Sequence, residues 1–144
     1  MKCSIFIDKE REEEVQIFAH EKSALVEKLV LLAESEGFEL VGKKDKTSYR
    51  LDLLKIVCFV SENGKVFALT DKEKYEVDKR MYELEEMCPD SFIKINQSCI
   101  ANIDKIQSFG ATLSASLTVN FKNGYHDYVS RRQLKNVKER LMRK

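Results

Sequence analysis

The stretch FIKINQSCIANIDKI, residues 92–106, decides the fold because it places a polar break inside an otherwise apolar segment. Ile93 and Ile95 alternate with polar neighbours, which is the period-two pattern of a half-buried strand. The alternation stops at the neutral hydrogen-bonding triplet 96–98, and aliphatic residues resume behind it. Short polar side chains at such a break are typical of a turn. We therefore expect a strand that ends in a turn, with apolar residues holding the backbone on both sides.

Most of the remaining chain consists of short strand patterns joined by tight turns. The Asn-Gly pairs at 63–64 and 123–124 are a strong local signal for two-residue hairpin turns. Many short strands with only brief helices favour an α+β fold that is mostly antiparallel β. Strands are predicted at residues 3–7, 15–19, 38–41, 49–52, 56–60, 65–70, 74–77, 106–109, 116–121 and 125–129.

Three helices are predicted between and after these strands. Gly37 ends the first helix and Pro89 ends the second, because glycine favours a helix C-terminus and proline cannot continue a helix. The third helix is basic, with Leu134, Val137 and Leu141 facing inward. The predicted helices span residues 24–35, 79–87 and the chain from 131 onward, with Ser23, Asp78 and Ser130 as their respective caps.

A polar stretch that begins with glycine, GKKDKTS at residues 42–48, marks the predicted boundary between two parts of the chain. The N-terminal α+β segment, residues 1–45, is a candidate regulatory or dimerisation surface. Residues 46–144 form the predicted β domain. A length of 144 residues suits one globular domain with a short accessory segment.

Charge is divided unevenly along the chain. Residues 1–90 carry 15 basic and 21 acidic side chains, a net charge of −6, and residues 91–144 carry 10 basic and 3 acidic side chains, a net charge of +7. The two sum to the overall +1. An acidic part joined to a basic part is typical of a nucleic-acid-binding protein that meets phosphate with one end. Ordinary solvation of the surface also explains the lysines, but it does not explain why acids are scarce beside them.

The composition favours a cytoplasmic protein without catalytic activity, metal or cofactor. None of the four cysteines belongs to a CxxC pair, and two histidines offer no zinc-site spacing. No apolar run is long enough to cross a bilayer, and the N-terminus turns acidic too early for a secretory signal. We expect reduced thiols and no membrane insertion. Catalysis is not expected, because neither His20 nor His126 has an obvious orienting partner.

Four motifs follow one another in the second half of the chain: a short helix ending near MCPDSF, the stretch FIKINQSCIANIDKI, the hairpin LTVNFKNGYHDYVSRRQL and a terminal basic helix. This order resembles the LytTR family of bacterial DNA-binding domains over roughly residues 45–144. That family's pattern has a phenylalanine, a basic residue, a polar patch with a serine, an apolar run ending in asparagine, and an isoleucine. The corresponding positions here are Phe92, Lys94, 96–98, 100–102 and Ile106.

The resemblance implies a small stand-alone bacterial transcriptional regulator without a receiver domain, with an elongated antiparallel β fold that lays loops into successive grooves of double-stranded DNA. Arginine suits guanine and Asn or Gln suits adenine, whereas Lys, Arg and Ser hold phosphate. Arg132 is the first choice for a base contact at one groove and Lys65 for the other. The predicted DNA-binding residues are Lys65, Lys94, Asn96, Gln97, Ser98, Ser130, Arg131, Arg132 and Lys135.

Several of these positions carry an alternative or a departure from the family's pattern. Asn96 and Ser98 can cap the turn by bonding their own backbone instead of reaching DNA, and a structural role is also open for Asn102 at the end of the apolar run. Relatives usually have His or Ser, followed by a basic residue or Asn, where this chain has Asn96 and Gln97. Cys99 replaces an aromatic residue. These differences leave the target sequence open.

The resemblance also implies partners. Family members commonly bind paired direct repeats, and the segment 1–45, which contains the helix predicted at 24–35, is a candidate surface for a homodimer or for an inhibitory membrane-protein partner. A different class of protein fits the acidic N-terminal half. In that alternative the chain is a protein-interaction module that binds a regulatory partner without specific DNA binding.

Overall fold

The computed structural model describes residues 1–35, 39–111 and 116–142, and within these ranges short strands form two antiparallel sheets. The strands are β1 (Leu40–Lys44), β2 (Thr47–Leu51), β3 (Cys58–Glu62), β4 (Lys65–Leu69), β5 (Lys74–Val77), β6 (Phe92–Asn96), β7 (Cys99–Asn102), β8 (Ile106–Ala111), β9 (Leu117–Phe121) and β10 (His126–Val129). One sheet has the order β2-β1-β5-β4-β3-β7-β6 and the other the order β10-β9-β8. The predicted fold class, mostly antiparallel β with short helices, is confirmed.

The three-stranded sheet packs on one face of the seven-stranded sheet, together with the last helix, α3 (Leu134–Leu141). Alternation along each strand sends every second side chain into this interface. Burial of a large aliphatic or aromatic side chain stabilises a fold by roughly 1.5–3 kcal/mol. The buried residues are Val57, Cys58, Val60, Ile93, Ile95, Cys99, Ala101, Leu117, Val119, Phe121, Val129 and Val137.

The opposite face of the large sheet is covered by the helices α1 (Ala24–Ser35) and α2 (Met81–Met87) and by a short 3-10 turn, Leu53–Lys55. Phe59 and Phe92 meet there with ring centroids 5.7 Å apart. Within the described ranges, no helix combines the length and the apolar character that a bilayer crossing needs. The other buried residues of this face are Leu40, Leu53, Ile56, Val66, Ala68, Val77, Leu84 and Ile100.

The strands predicted at residues 3–7 and 15–19 are wrong. Residues 1–23 contain no strand, and most of their apolar side chains are exposed, with Phe6 and Phe18 both 90% accessible. Both segments are short apolar runs of the kind that strands contain, but neither pairs with the sheets described here. A two-stranded hairpin without further partners is marginally stable at best. The N-terminal segment therefore contributes α1, and no sheet, to the described fold.

The polar loop predicted at residues 42–48 is also wrong, because β1 and β2 form a hairpin through it. Asp45 and Lys46 make the two-residue turn with φ angles of 51° and 66°, a geometry for which glycine or asparagine is the usual signal. β1 also pairs with β5. Gly42 permits this pairing, since a Cβ there would lie 2.6 Å from Cβ of Tyr75. The domain boundary between residues 45 and 46 remains a prediction.

The helices differ from the predictions mainly at their starts. α1 has the predicted bounds, whereas Gly37, its predicted stop, and Phe38, the predicted start of the next strand, lie outside the described residues. α2 begins at Met81 instead of residue 79, and the Glu83 carboxylate accepts a hydrogen bond from the Arg80 backbone N–H at 3.1 Å. Side chains of the first turn thus satisfy a free N–H group at the start of this helix.

Candidate nucleic-acid interface

Three connections meet at one end of the large sheet. β3 pairs with β7 so that Val60 lies opposite Cys99, which brings the β3–β4 turn beside the β6–β7 turn. The Ser61 backbone N–H donates to the Ser98 carbonyl at 2.9 Å, and the Ser130 backbone N–H donates to the Ile95 carbonyl at 2.8 Å. We refer to residues 62–65, 96–98 and 130–133 together as the loop edge. Its parts are up to about 70 residues apart in the sequence and are joined by hydrogen bonds.

Asn96 is a structural residue of the loop edge and not an open donor. It is 2% exposed, and its Nδ2 donates to the Tyr128 carbonyl at 2.8 Å and to Asp127 Oδ1 at 3.1 Å. Its Oδ1 accepts from the Ser98 backbone N–H at 2.8 Å. Since both amide protons are used, the side chain has no donor left for a base. The capping alternative stated for Asn96 is the one that the geometry favours.

Gln97 and Ser98 occupy the turn itself, and both are exposed. The backbone of Ser98 is fixed on both sides, by Asn96 Oδ1 at its N–H and by the Ser61 N–H at its carbonyl. The Gln97 amide makes no hydrogen bond to any other residue of the described ranges. A rigid backbone under an uncommitted amide is the arrangement that bidentate contact with adenine needs.

Ser130, Arg131 and Arg132 lie between β10 and α3. The prediction that Ser130 caps the last helix is wrong: α3 begins at Leu134 with Gln133 as its N-cap, and the Ser130 carbonyl accepts from the Gln133 N–H at 3.0 Å. Ser130 is held instead by β6, because its N–H donates to the Ile95 carbonyl across the two sheets. The two arginines therefore precede the helix, and both are exposed.

Lys135 lies on the exposed side of the first turn of α3. No ion pair between described residues includes Arg131, Arg132 or Lys135. These three cations lie within six residues of one another and have no carboxylate partner among the described residues. Together they produce a local positive potential, which attracts an external anion. The hydrophobic residues Leu134, Val137 and Leu141 face inward from α3, as the sequence predicts.

Lys65 follows the Asn63-Gly64 turn and belongs to the loop edge. Its Nζ lies 3.6 Å from Glu76 Oε1, and its side chain is 62% exposed. An exposed pair of this kind contributes little, about 0–1 kcal/mol, and does not hold the lysine away from another anion. Asn63 and Gly64 both have positive φ angles, 52° and 77°, as the hairpin prediction requires.

Lys94 is separate from the loop edge. Its neighbours Ile93 and Ile95 point toward the small sheet, whereas Lys94 points to the other face, where its Nζ lies 3.6 Å from Glu85 Oε2 of α2. The structure thus brings Lys65, Gln97, Ser98 and the residues from Ser130 to Lys135 to one end of the sheet, and it does not bring Lys94 there.

Two residues of this region were missed by the sequence prediction. Asp127 accepts hydrogen bonds from Asn96 Nδ2, from the Tyr128 backbone N–H at 2.8 Å and, through Oδ2, from the Tyr125 hydroxyl at 3.0 Å. Burial and the negative charge of Asp127 raise the pKa of Tyr125, so the hydroxyl stays a donor at neutral pH. The only signal in the sequence was the rarity of acids after residue 90.

Asn102 and the cysteines are structural. Asn102 Nδ2 donates to the Ile56 carbonyl at 2.8 Å, and Oδ1 accepts from the Asp104 N–H at 3.1 Å. Cys58 and Cys99 lie in the core, where the hydrogen bond to Cys58 and burial raise the pKa of the Cys99 thiol. No group of three or more metal-binding side chains occurs among the residues that the structure describes.

Comparison with known proteins assigns the chain to a family. Residues 46–142 match the model of the LytTr DNA-binding domain. Regulators from Staphylococcus aureus strains MSSA476 and NCTC 8325, both named uncharacterized HTH-type transcriptional regulators, are 31% identical over 144 residues, which is 98% of this chain and 98% of each relative. A solved LytTr DNA-binding domain from Bacillus cereus superimposes with a TM-score of 0.69 at 18% identity, covering 74% of this chain and all of that domain.

Proposed function

Because the chain belongs to the LytTR family of DNA-binding domains, we propose that it is a bacterial transcriptional regulator whose loop edge contacts the bases and phosphates of a specific double-stranded site. The convergence of three connections, one of which carries Arg131 and Arg132 without an ion pair to any described residue, is the observation that supports this most directly. The names of the Staphylococcus relatives support the regulatory role. LytTR is a class of DNA-binding domain and not of enzymes.

The dimensions of the loop edge suit a groove of duplex DNA. The β3–β4 and β6–β7 turns are centred two strand spacings apart, about 10 Å. The major groove is about 12 Å wide and admits a two-stranded ribbon, so it can receive one of these two turns while the other lies beside it along the duplex. The segment from Ser130 to Arg132 is tied to β6 beside them and follows the same side of the duplex or enters the adjacent groove.

The chemistry of each side chain then assigns a role. We assign base contacts to Gln97 and Arg132, which combine exposure with bidentate geometry, and we keep Lys65 as a further candidate. Arg131 and Lys135 neutralise phosphate, and the exposed Ser98 and half-buried Ser130 hydroxyls donate to it. Lys94 stays a proposed phosphate contact that must first leave Glu85. Asn96 acts only indirectly, through the shape of the turn.

Selection of duplexes from a random pool by the purified protein tests the proposal. We expect a recurrent sequence, arranged as paired direct repeats when two copies bind. Titration of that duplex and of a scrambled duplex at two salt concentrations then separates specific from non-specific affinity. Equal affinity for both duplexes would contradict specific recognition. In a gel-shift experiment, a duplex that the protein does not retard even at low salt would favour the protein-interaction module instead.

The N-terminal segment is the proposed surface for a second copy of the chain. Phe6 and Phe18 are 90% exposed and Leu25 on α1 is 52% exposed, and aromatic side chains bury about 150–250 Å² each when covered. Ile5 and Ile7, also exposed, flank Phe6 in the sequence and add apolar area that a partner can cover, toward the roughly 800 Å² per partner of a standard interface. A membrane-protein partner that restrains the regulator in the cytoplasm is the other proposed occupant.

Sedimentation of the full chain distinguishes these occupants. For a homodimer, we expect a concentration-dependent dimer that the double substitution Phe6→Glu and Phe18→Glu converts to monomer. Gln16→Glu, an exposed change in the same segment, serves as the matched control. A monomer at all concentrations with the wild-type sequence would exclude the homodimer and leave the surface to a different partner.

A further inference from the structure

Asp127 is an acidic residue in an unfavourable place for a DNA-binding surface. It lies on β10, three residues before Ser130, and it is one of only three acidic residues after residue 90. A carboxylate close to the loop edge repels phosphate and weakens non-specific attraction. Its presence needs another explanation, and its hydrogen bonds supply one.

The Asp127 carboxylate is the centre of a bridge between two parts of the loop edge. Oδ1 accepts from Asn96 Nδ2 at 3.1 Å and from the Tyr128 N–H at 2.8 Å, while Oδ2 accepts from the Tyr125 hydroxyl at 3.0 Å. The second amide proton of Asn96 reaches the Tyr128 carbonyl at 2.8 Å. Charge-assisted bonds of this kind are shorter and roughly twice as strong as neutral ones.

The bridge reaches the turn through Asn96. Asn96 Oδ1 accepts from the Ser98 N–H at 2.8 Å, which fixes the conformation of the intervening Gln97. On the other side, Ser130 is bonded to Ile95 at 2.8 Å and leads directly to Arg132. Gln97 and Arg132, the side chains assigned to base contact, therefore belong to two segments whose relative position is fixed by these hydrogen bonds.

We propose that Asp127, together with Asn96 and Tyr125, is a positioning unit that fixes Gln97 relative to Arg132 and so determines sequence selectivity, a role that depends on the proposed specific DNA binding. None of the three residues contacts a base in this role. Two contacts that are held at a fixed separation read a fixed pair of base positions, because misplacement of either one removes its discrimination.

Asn96→Asp is the sharpest test. The new carboxylate keeps the acceptor for the Ser98 N–H but replaces the donating amide with an oxygen that faces Asp127 and the Tyr128 carbonyl. We expect the ratio of scrambled-duplex to specific-duplex Kd to fall about tenfold or more, as for one lost bidentate contact. Asn120→Asp adds the same charge at an exposed position of β9 and is the matched control, with an unchanged ratio.

Two further variants keep the test decisive when Asn96→Asp is poorly folded. Tyr125→Phe removes only the hydroxyl that donates to Asp127, and we expect a partial loss of selectivity of roughly threefold, because the carboxylate keeps its hydrogen bonds from Asn96 Nδ2 and the Tyr128 N–H. Adding Asp127→Asn to Asn96→Asp restores one donor and one acceptor across the bridge. We expect this double variant to recover part of the lost ratio.

The same titrations separate the two proposals. A wild-type protein that binds both duplexes equally overturns specific binding and positioning together. A selective wild type with an unchanged ratio in Asn96→Asp and Tyr125→Phe overturns positioning alone. Equal losses on both duplexes also overturn it, because they indicate a merely structural role, whereas a reduced ratio with an unchanged salt dependence on the scrambled duplex supports it.

Discussion

Replacement of Arg132 is the perturbation that tests the loop edge most directly. Arg132 is exposed, lies between β10 and α3, and is absent from the ion pairs of the described residues. Arg132→Ala therefore leaves no buried carboxylate unpaired and does not disturb the core. A bidentate contact between arginine and guanine supplies about 1–3 kcal/mol of discrimination, which corresponds to roughly 5- to 150-fold in affinity.

Lys135 is the matched comparison because it lies three residues away, is also exposed and carries the same charge. Loss of one phosphate contact reduces the steepness of log K against log salt by about 0.9. The ratio of wild-type to variant affinity therefore changes by only about 3.5-fold between 50 and 200 mM salt. We expect Lys135→Ala to weaken specific and scrambled duplexes alike. Arg132→Ala should weaken the specific duplex by the additional 5- to 150-fold given by base discrimination.

Fluorescence anisotropy titrations of both duplexes over this salt range measure the two quantities together. Arg132→Lys adds a control for charge, since lysine keeps the positive charge but lacks the planar fork that recognises two acceptors. We expect Arg132→Lys to retain non-specific affinity and lose selectivity. Equal losses of Arg132→Ala on the specific and scrambled duplexes would refute the base contact and leave Arg132 as a phosphate ligand.

Three other outcomes follow from the fold. Asn102→Ala leaves the Ile56 carbonyl unsatisfied and should lower the free energy of unfolding by about 1–3 kcal/mol in urea denaturation, with an unchanged Kd ratio. Gly42→Ala should destabilise by a similar amount, about 1–3 kcal/mol, because its Cβ would lie 2.6 Å from Cβ of Tyr75; unchanged stability would show that β5 can shift. Mass spectrometry after brief iodoacetamide treatment at pH 7.5 should find only the exposed Cys3 alkylated. The other three cysteines should react only in denaturant, because Cys58 and Cys99 are buried and because burial raises the pKa of Cys88 to about 12.

Local pattern predicted several strands correctly where a tight turn with a clear signal joined them to a neighbour. The Asn63-Gly64 turn joins β3 to β4, and residues 74–77 form β5 with the predicted bounds. The short apolar run at residues 3–7 gave a wrong prediction, because such a run describes a side-chain pattern and not whether a strand edge is present to pair with it. The β1–β2 hairpin was missed since Asp45-Lys46 reaches positive φ without glycine.

The candidate site was less predictable, because its geometry depends on contacts between residues distant in the sequence. Resemblance to the family supplied the residue types of the loop edge, including Gln97 and Arg132. The bonds that join them, from Ser130 to Ile95 and from Asn96 to Asp127, link segments about 30 or more positions apart. A single acidic residue in a basic segment gives no sequence pattern from which its contacts can be predicted. The hydrogen bonds of Asp127 are therefore known only from the structure.

The relatives are named as HTH-type regulators, yet the described part of this chain offers no such motif. A helix-turn-helix needs two helices joined by a turn of about three or four residues, with the second helix in the major groove. Here α1, α2 and α3 are each separated by strands. The groups with base-reading chemistry lie in connections instead, and α3 contributes Lys135 beside them. Under the positioning proposal, selectivity would depend on how rigidly the connections are held to each other, and the hydrogen bonds of Asn96, Asp127 and Ser130 are the contacts that hold them.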